Sequence, residues 1–240
     1  MSQITIPSLE ELLEAGVHFG HSTSRWHPKM KPFLFGKKGG THIIDLARTR
    51  EKLEEAVSFV REQSAAGKYI LFVGVKPLAR DVVREEAMRA QTPFMVSRWI
   101  GGTLTNWKAV AGMIKRMKQI EDDKASGKLA KYTKREQLLF AEEHEKLSDE
   151  VGGLRMLSKP PDVLFVVDAK YDKTAIAEAR KLGKPVVAMV DSNINPTKVQ
   201  YPIPANDDAL KSITLITKVM ADAVVEGKEQ AQHASVKSDA

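Results

Sequence analysis

Cysteine is absent from the 240 residues, so disulfides, iron–sulfur clusters, cysteine zinc sites and cysteine nucleophiles are all excluded. No run of about 18 apolar residues occurs, and the N-terminus lacks a basic region followed by an apolar block. A soluble, cytosolic protein is therefore the expectation. The phosphate and nucleophile motifs GxxxxGKS/T and GxSxG do not occur, and no GxGxxG follows the first buried strand. Gly74-Val75-Lys76-Pro77-Leu78 is too poor in glycine to cradle a phosphate. Aromatic residues make up only 6% of the chain, which draws attention to two of the three tryptophans, Trp99 and Trp107, falling in one short stretch.

What is present is an excess of basic charge. A formal net charge of +6 and a pI near 9.3 favour polyanionic partners, and leave RNA, DNA, membrane lipid and acidic protein all open. The length suits one large α/β domain, or a domain of under about 200 residues with an accessory element.

Ser8, with Glu11 three residues on, starts a short amphipathic helix that ends at Gly16. Residues 17–32 read as a long irregular connection whose aromatics pack it down. Phe33-Leu34-Phe35 and Thr41-His42-Ile43-Ile44 flank the basic, glycine-rich turn 36–40 and predict a small antiparallel hairpin. Asp45 caps a helix to about Ser64. Tyr69 to Val73, Phe94 to Val96, Val163 to Val167 and Val186 to Val190 are the near-continuous apolar runs of buried parallel strands, with crossover helices at Leu78–Ala90 and Lys173–Leu182. These make two βαβ units and no further internal repeat. The prolines of Tyr201-Pro202-Ile203-Pro204 allow only an edge strand, and a helix follows from Ala209 to about Val225.

Periodicity changes at Ser97 to Trp107, which turns on Gly101 and Gly102. Beyond it Val110, Met113, Ile114, Met117 and Ile120 share one helical stripe. Thr133 and Glu136 form a capping box for a second helix carrying Leu138, Leu139 and Leu147. Two such stripes joined by a polar turn predict a projecting antiparallel hairpin, coiled-coil-like, or else two helices lying flat on the sheet. The fold class is thus α/β, a three-layer sandwich with a mostly parallel sheet of flavodoxin-like or Rossmann-like kind, plus an inserted helical hairpin. Residues 1–103 and 155–227 form the α/β domain, 104–154 the insertion and 228–240 a disordered tail.

Two chemistries compete. Asp168 and Asp191 follow adjacent strands at the ends where open α/β sheets place ligands, and with Asp207 and Asp208 they suit Mg²⁺ binding or water activation in a phosphoryl- or nucleotide-handling enzyme. The same residue type also caps turns there. His18, His21, His27 and His42 are four of the six histidines, and their spacings match no zinc signature. The sequence leaves open whether His18, His21, Asp191, Asp207 and Asp208 hold a metal; no metal or cofactor is assigned. The RNA reading rests on basic and aromatic residues spread over several loops: Arg25, Trp26, Lys29 and Lys31; Lys37 and Lys38; Arg98 and Lys108; and Lys128, Lys131, Lys134 and Arg135 at the hairpin tip. A scaffold that binds only protein is the third reading.

Several stretches carry a family likeness. These are residues 13–21 (Leu13 to His21), Arg25-Trp26-His27-Pro28-Lys29-Met30, His42-Ile43-Ile44-Asp45-Leu46, Arg98 to Trp107, Pro161 to Asp168, and Tyr201 to Ala209. Together the chain resembles the bacterial ribosomal protein S2 family along nearly its whole length. The resemblance implies an α/β sandwich with a protruding coiled-coil hairpin, contacts with 16S ribosomal RNA, late assembly where head meets body of the small subunit, and recruitment of ribosomal protein S1 for messenger RNA binding. Neighbouring small-subunit proteins are implied partners, the ribosome in the cytoplasm the implied location, and no catalytic activity, membrane or small-molecule substrate goes with the family. His27, Gly39-Gly40 and Asn195 depart from its commonest pattern.

Overall fold

The structure, a computed structural model, describes residues 4–238, with side chains through residue 233. Among the described residues eight strands form two sheets. β1 (Phe19–Ser22), β2 (Leu34–Lys38) and β3 (Thr41–Ile44) make an antiparallel sheet in the order β1-β3-β2. β4 (Ile70–Val73), β5 (Phe94–Met95), β6 (Val163–Val166), β7 (Val186–Val190) and β8 (Tyr201–Pro204) make a parallel sheet in the order β5-β4-β6-β7-β8. Counted along the chain within that sheet the order is 2-1-3-4-5, the doubly wound order whose switch point lies between its first and third strands, here β4 and β6.

The helices are α1 (Leu9–Glu14), α2 (Leu46–Ala65), α3 (Arg80–Arg89), α4 (Trp107–Ala125), α5 (Lys134–Val151), α6 (Lys173–Lys181) and α7 (Leu210–Ser238). Alternate strand residues feed two apolar layers. Ile70, Phe72, Phe165, Val187 and Met189 meet Leu53, Val60, Val83, Ile213 and Met220 from α2, α3 and α7. Leu71, Val73, Leu164, Val166, Ala188 and Val190 meet Val110, Ile114, Met117 and Ile176 from α4 and α6. Burial on both faces is why these strands read as unbroken apolar runs. Phe72 and Phe165 meet edge-on at 4.9 Å between ring centres in the first layer.

The capping signals hold. Ser8 and Glu11 form the reciprocal box of α1, Thr133 and Glu136 that of α5, and Asp45 accepts from the amides of Ala47 and Arg48 at the start of α2. The prolines of β8 are tolerated because it pairs only with β7 at the sheet edge.

Four readings change. The irregular segment after residue 17 contains β1, which turns the expected two-stranded hairpin into a three-stranded sheet. Pro77 is exposed in a turn, and α3 starts only at Arg80. α7 continues past Val225 to Ser238, so most of the stretch read as a disordered tail is helical backbone; Asp239 and Ala240 lie outside the described residues. On α5, Leu138 and Leu139 are more than half exposed. The helix turns Phe140, Glu143, His144, Leu147 and Val151 inward instead, residues at three- and four-residue spacing. The inward face is therefore partly polar. Arg116 pairs with Glu143 through two bonds of 2.9 and 2.6 Å, and Glu121 lies 3.1 Å from His144 and 2.9 Å from Arg155. The first half of α4 lies on the sheet, but between Glu121 and Glu150 no side chain is buried.

Candidate nucleic-acid interface and the strand-end cluster

The twelve basic and aromatic candidates fall into three groups. Arg25, Trp26, Lys29, Lys31, Lys37 and Lys38 all ride on the small antiparallel sheet and the loop beside it. Gly39 and Gly40, at φ of +58° and +77°, make the two-residue turn that a right-twisted hairpin needs, with Lys37 and Lys38 exposed on the strand just before it. Pro28–Phe33 is a 3-10 turn capped by His27, whose Nδ1 accepts from the amide of Lys29 at 3.1 Å. Met30 is fully buried and pins this turn, so Lys29 and Lys31 on either side of it face solvent. Trp26 is half-buried with its ring 5.0 Å from that of His42, which makes it a shaper of the loop.

Arg98 and Lys108 form the second group, at the root of the arm made by α4 and α5. Arg98 is exposed but ion-paired to Glu150 at 2.6 Å. Lys108 is exposed in the first turn of α4, which contains no acidic residue. The third group, Lys128, Lys131, Lys134 and Arg135, is exposed at the tip; Lys128 lies 3.6 Å from Asp123, and Lys131 lies over the ring of Tyr132. The 19 residues of α4 separate root from tip by about 28 Å at 1.5 Å per residue.

A residue that sequence reasoning passed over fixes the root. Glu178 of α6 accepts from the Trp99 indole (3.0 Å) and the amides of Gly102 (2.7 Å), Leu104 (3.1 Å) and Thr105 (3.3 Å), and from the Thr105 hydroxyl (3.3 Å). Burial opposes its charge, yet these donors hold the carboxyl below the usual range. Trp99 and Trp107 are packed against the second apolar layer, so they brace the arm.

The carboxyl ends of β4, β6, β7 and β8 converge on a buried polar cluster. Asp168 uses Oδ1 to accept from the amides of Lys170 and Tyr171, a turn cap, and its Oδ2 lies 3.1 Å from Lys76 Nζ. The same ammonium reaches Asp207 Oδ1 at 3.1 Å and Asp208 Oδ1 at 2.5 Å. Burial works against the charge of Lys76, but the surrounding carboxylates hold its pKa well above the ordinary lysine value. Lys76 thus sits among these carboxylates at the strand ends, with Val75 buried beside it. The signal was legible only in position, a lysine just after the first buried strand. Burial, then repulsion from Asp168 and Asp191, pushes the Asp207 carboxyl up to about 7. Asp172, buried and donated to by the amide of Val75, is likewise raised to about 7, mainly by burial.

β1 is fastened to this cluster. The amide of His21 donates to Ser192 Oγ at 2.8 Å, and that of His27 to the Ser192 carbonyl at 2.8 Å. A Cβ on Gly20 would stand 2.8 Å from Ser192 Oγ, so only glycine permits the approach. His21 Nδ1 lies 2.9 Å from Asp191 Oδ2, and its Nε2 3.4 Å from Asp208 Oδ2. The Asp191 carboxylate beside it raises the His21 pKa against the effect of burial. His18 lies against Phe19 with the rings tilted and is not in the cluster; Asn195 caps its own turn through Thr197.

Residues 12–227 match the family described as Ribosomal protein S2. A relative, the small ribosomal subunit protein uS2 of Coprothermobacter proteolyticus, is 49% identical over 229 residues, which is 95% of this chain and 85% of that protein.

Proposed function

Because the chain belongs to the ribosomal protein S2 family, we propose that it binds 16S ribosomal RNA in the small subunit through exposed basic loops and helps to recruit ribosomal protein S1 for translation initiation. Proteins of this family are structural parts of the ribosome, not enzymes. The observation that most supports the RNA reading is the run of exposed Arg25, Lys29, Lys31, Lys37 and Lys38 on a small sheet tied firmly to the strand ends. A fixed array of cations neutralises the phosphates of a shaped RNA without reordering the loop on binding. Arg98 and Lys108 extend the contact at the arm root, and Trp26, Trp99 and Trp107 shape the loops.

On this reading the body is a three-layer sandwich, residues 104–154 are a coiled-coil hairpin that projects from it, and the tip charges Lys128, Lys131, Lys134 and Arg135 dock on RNA or a neighbouring protein. No helix among the described residues is long and apolar enough to cross a membrane, and the proposed location is the ribosome in the cytoplasm.

The test is equilibrium binding of the full chain to small-subunit RNA particles across a salt series. If six or more phosphates are neutralised, affinity falls by about a thousandfold or more between about 50 and 200 mM salt. Replacing Arg25, Lys29, Lys31, Lys37 and Lys38 by alanine weakens binding and flattens that slope. Salt-independent binding overturns the reading. Reversing the four tip charges is expected to lower association with the particle, and unchanged assembly removes the docking task. For the S1 arm of the proposal, particles rebuilt without this chain are expected to lose S1 on sedimentation; S1 retained at the same level refutes it.

A further inference from the structure

Between α6 and the turn that follows β7 the surface opens into a cleft of about 320 Å³. Lys173, Ile176, Ala177 and Arg180 recur at i, i+3, i+4 and i+7, so a single face of α6 forms one wall. The turn after β7 forms the other, stiffened by the 3-10 turn Pro196–Lys198 and its Asn195 cap. The floor is apolar, with Ile176, Ile194 and Val199 all buried. The rim is cationic, with Lys170, Lys173, Arg180 and Lys198 all exposed. Among the described residues no acidic side chain lines the cleft and none of these four cations is in an ion pair, whereas Arg98 and Lys128 each face a carboxylate. One polar atom is left over inside: Asn193 Oδ1 is buried and accepts no hydrogen bond, which is costly until a donor arrives from outside. The cleft adjoins the basic loop, because His27 lines it and Lys29 Nζ reaches the Thr197 hydroxyl at 3.4 Å.

Cationic rim, apolar floor and buried acceptor together match a nucleotide, which carries phosphate charge, a flat base and N–H groups on the base edge. We propose that the cleft holds one unpaired nucleotide of the bound RNA. Its base lies on Ile176, Ile194 and Val199 and donates an edge N–H to Asn193 Oδ1, while its flanking phosphates meet Lys170, Lys173, Arg180 and Lys198. A base inside a duplex is stacked and paired, so the nucleotide belongs to a loop or bulge, where RNA bases are open to recognition. The volume favours this occupant over a protein. It falls at the lower end of the range of about 300–1,000 Å³ for small-ligand sites, enough for a base and its sugar but not for a partner helix about 10–12 Å across. This contact rests on the RNA reading above and adds base recognition where Arg25, Lys29 and Lys31 meet phosphate alone.

Because the chain has no cysteine, Thr174→Cys, exposed on α6 beside the cleft, gives a single attachment point for an iron chelate that cuts nearby RNA. With the full labelled chain on small-subunit RNA particles, the expected result is one cut site, next to an unpaired nucleotide that the wild-type chain shields from base-modifying reagents. Ala177→Glu, an exposed helix position that puts a carboxylate into the cleft, is expected to weaken binding about 10-fold or more and to unshield that nucleotide. Asn193→Ala is expected to cost about 2- to 10-fold with the salt slope unchanged. Lys173→Ala with Arg180→Ala is expected to reduce the slope of log affinity against log salt by about 2. Salt-dependent binding with no shielded nucleotide near the tether overturns the base contact and leaves the phosphate reading standing. So does an Ala177→Glu chain that folds by circular dichroism and binds like wild type. Salt-independent binding removes both. Cleavage of a neighbouring protein in place of RNA makes the cleft a protein-docking site, and free adenosine monophosphate saturating the isolated chain at micromolar concentration makes it a metabolite site; either overturns the proposal.

Discussion

The α/β body and the helical arm bury their side chains by different rules. In the body every residue of β4, β6 and β7 is buried, and the two faces of one sheet feed two apolar layers. In the outer arm nothing from Glu121 to Glu150 is buried, and the helices are joined across a partly polar seam by Arg116–Glu143 and Glu121–His144. The body is stabilised by water leaving apolar surface, whereas the outer arm relies on exposed ion pairs that water and salt weaken. An element with so little internal burial, and with Leu138 and Leu139 facing out, gains most from a partner along its length.

The sharpest test of that contrast is a large-to-small change in the body. Phe165→Ala, which removes a fully buried ring from against Phe72, is expected to cost about 3–5 kcal/mol in urea unfolding. A loss below about 1 kcal/mol would show that the sheet collapses around cavities and would erase the distinction. Next comes the joint between the two regions. Glu178→Ala leaves the donors of Trp99, Gly102, Leu104 and Thr105 without their shared carboxylate, and about 2–3 kcal/mol should be lost after local relaxation. Trp99 fluorescence is expected to shift with it, and an unmoved spectrum would count against the clamp.

A smaller effect concerns the charge buried in the body. The folded-state pKa of Asp172, about 7, lies above its unfolded value. Between the two values the folded chain keeps a proton that the unfolded chain releases, so stability falls as pH rises through that window and is level above it. Asp172→Asn removes this slope. Relative to wild type it is expected to gain stability on the order of 1 kcal/mol from about pH 5 to about pH 8; parallel pH profiles would show that Asp172 is already ionised at neutral pH. The least costly change is Arg116→Ala on the arm, expected to lose under about 1 kcal/mol despite its two good hydrogen bonds to Glu143, because both side chains are exposed. A loss comparable to that of Phe165→Ala would break the comparison outright.

Local signals were readable in the sequence and long-range ones were not. The boxes Ser8–Glu11 and Thr133–Glu136 act within four residues, and the apolar runs at β4, β6 and β7 record burial on both faces, so both can be seen without a fold. Asp168 and Asp191 were placed at the strand ends by the βαβ pattern alone. β1 was missed because Phe-Gly-His-Ser carries no strand periodicity; it is a strand through its pairing with β3 and its tie to Ser192. Glu178 looked like one more charge on a crossover helix, since its partners lie more than seventy residues away. Leu138 and Leu139 looked like core because adjacent leucines do not reveal which way a helix is turned; the phase is set by Phe140, Leu147 and Val151. The basic loops were visible as composition, and the structure divides them into three separate groups.

The Glu178 clamp also imposes an order in time. Trp99 precedes it by 79 residues, and at synthesis rates of about 5–20 residues per second that gap is about 4–16 seconds. During that interval the arm itself is made, with its root still free to swivel. Its bearing is settled only when α6 is made and packs on the sheet, so a helical pair made before α6 acquires its direction only after it.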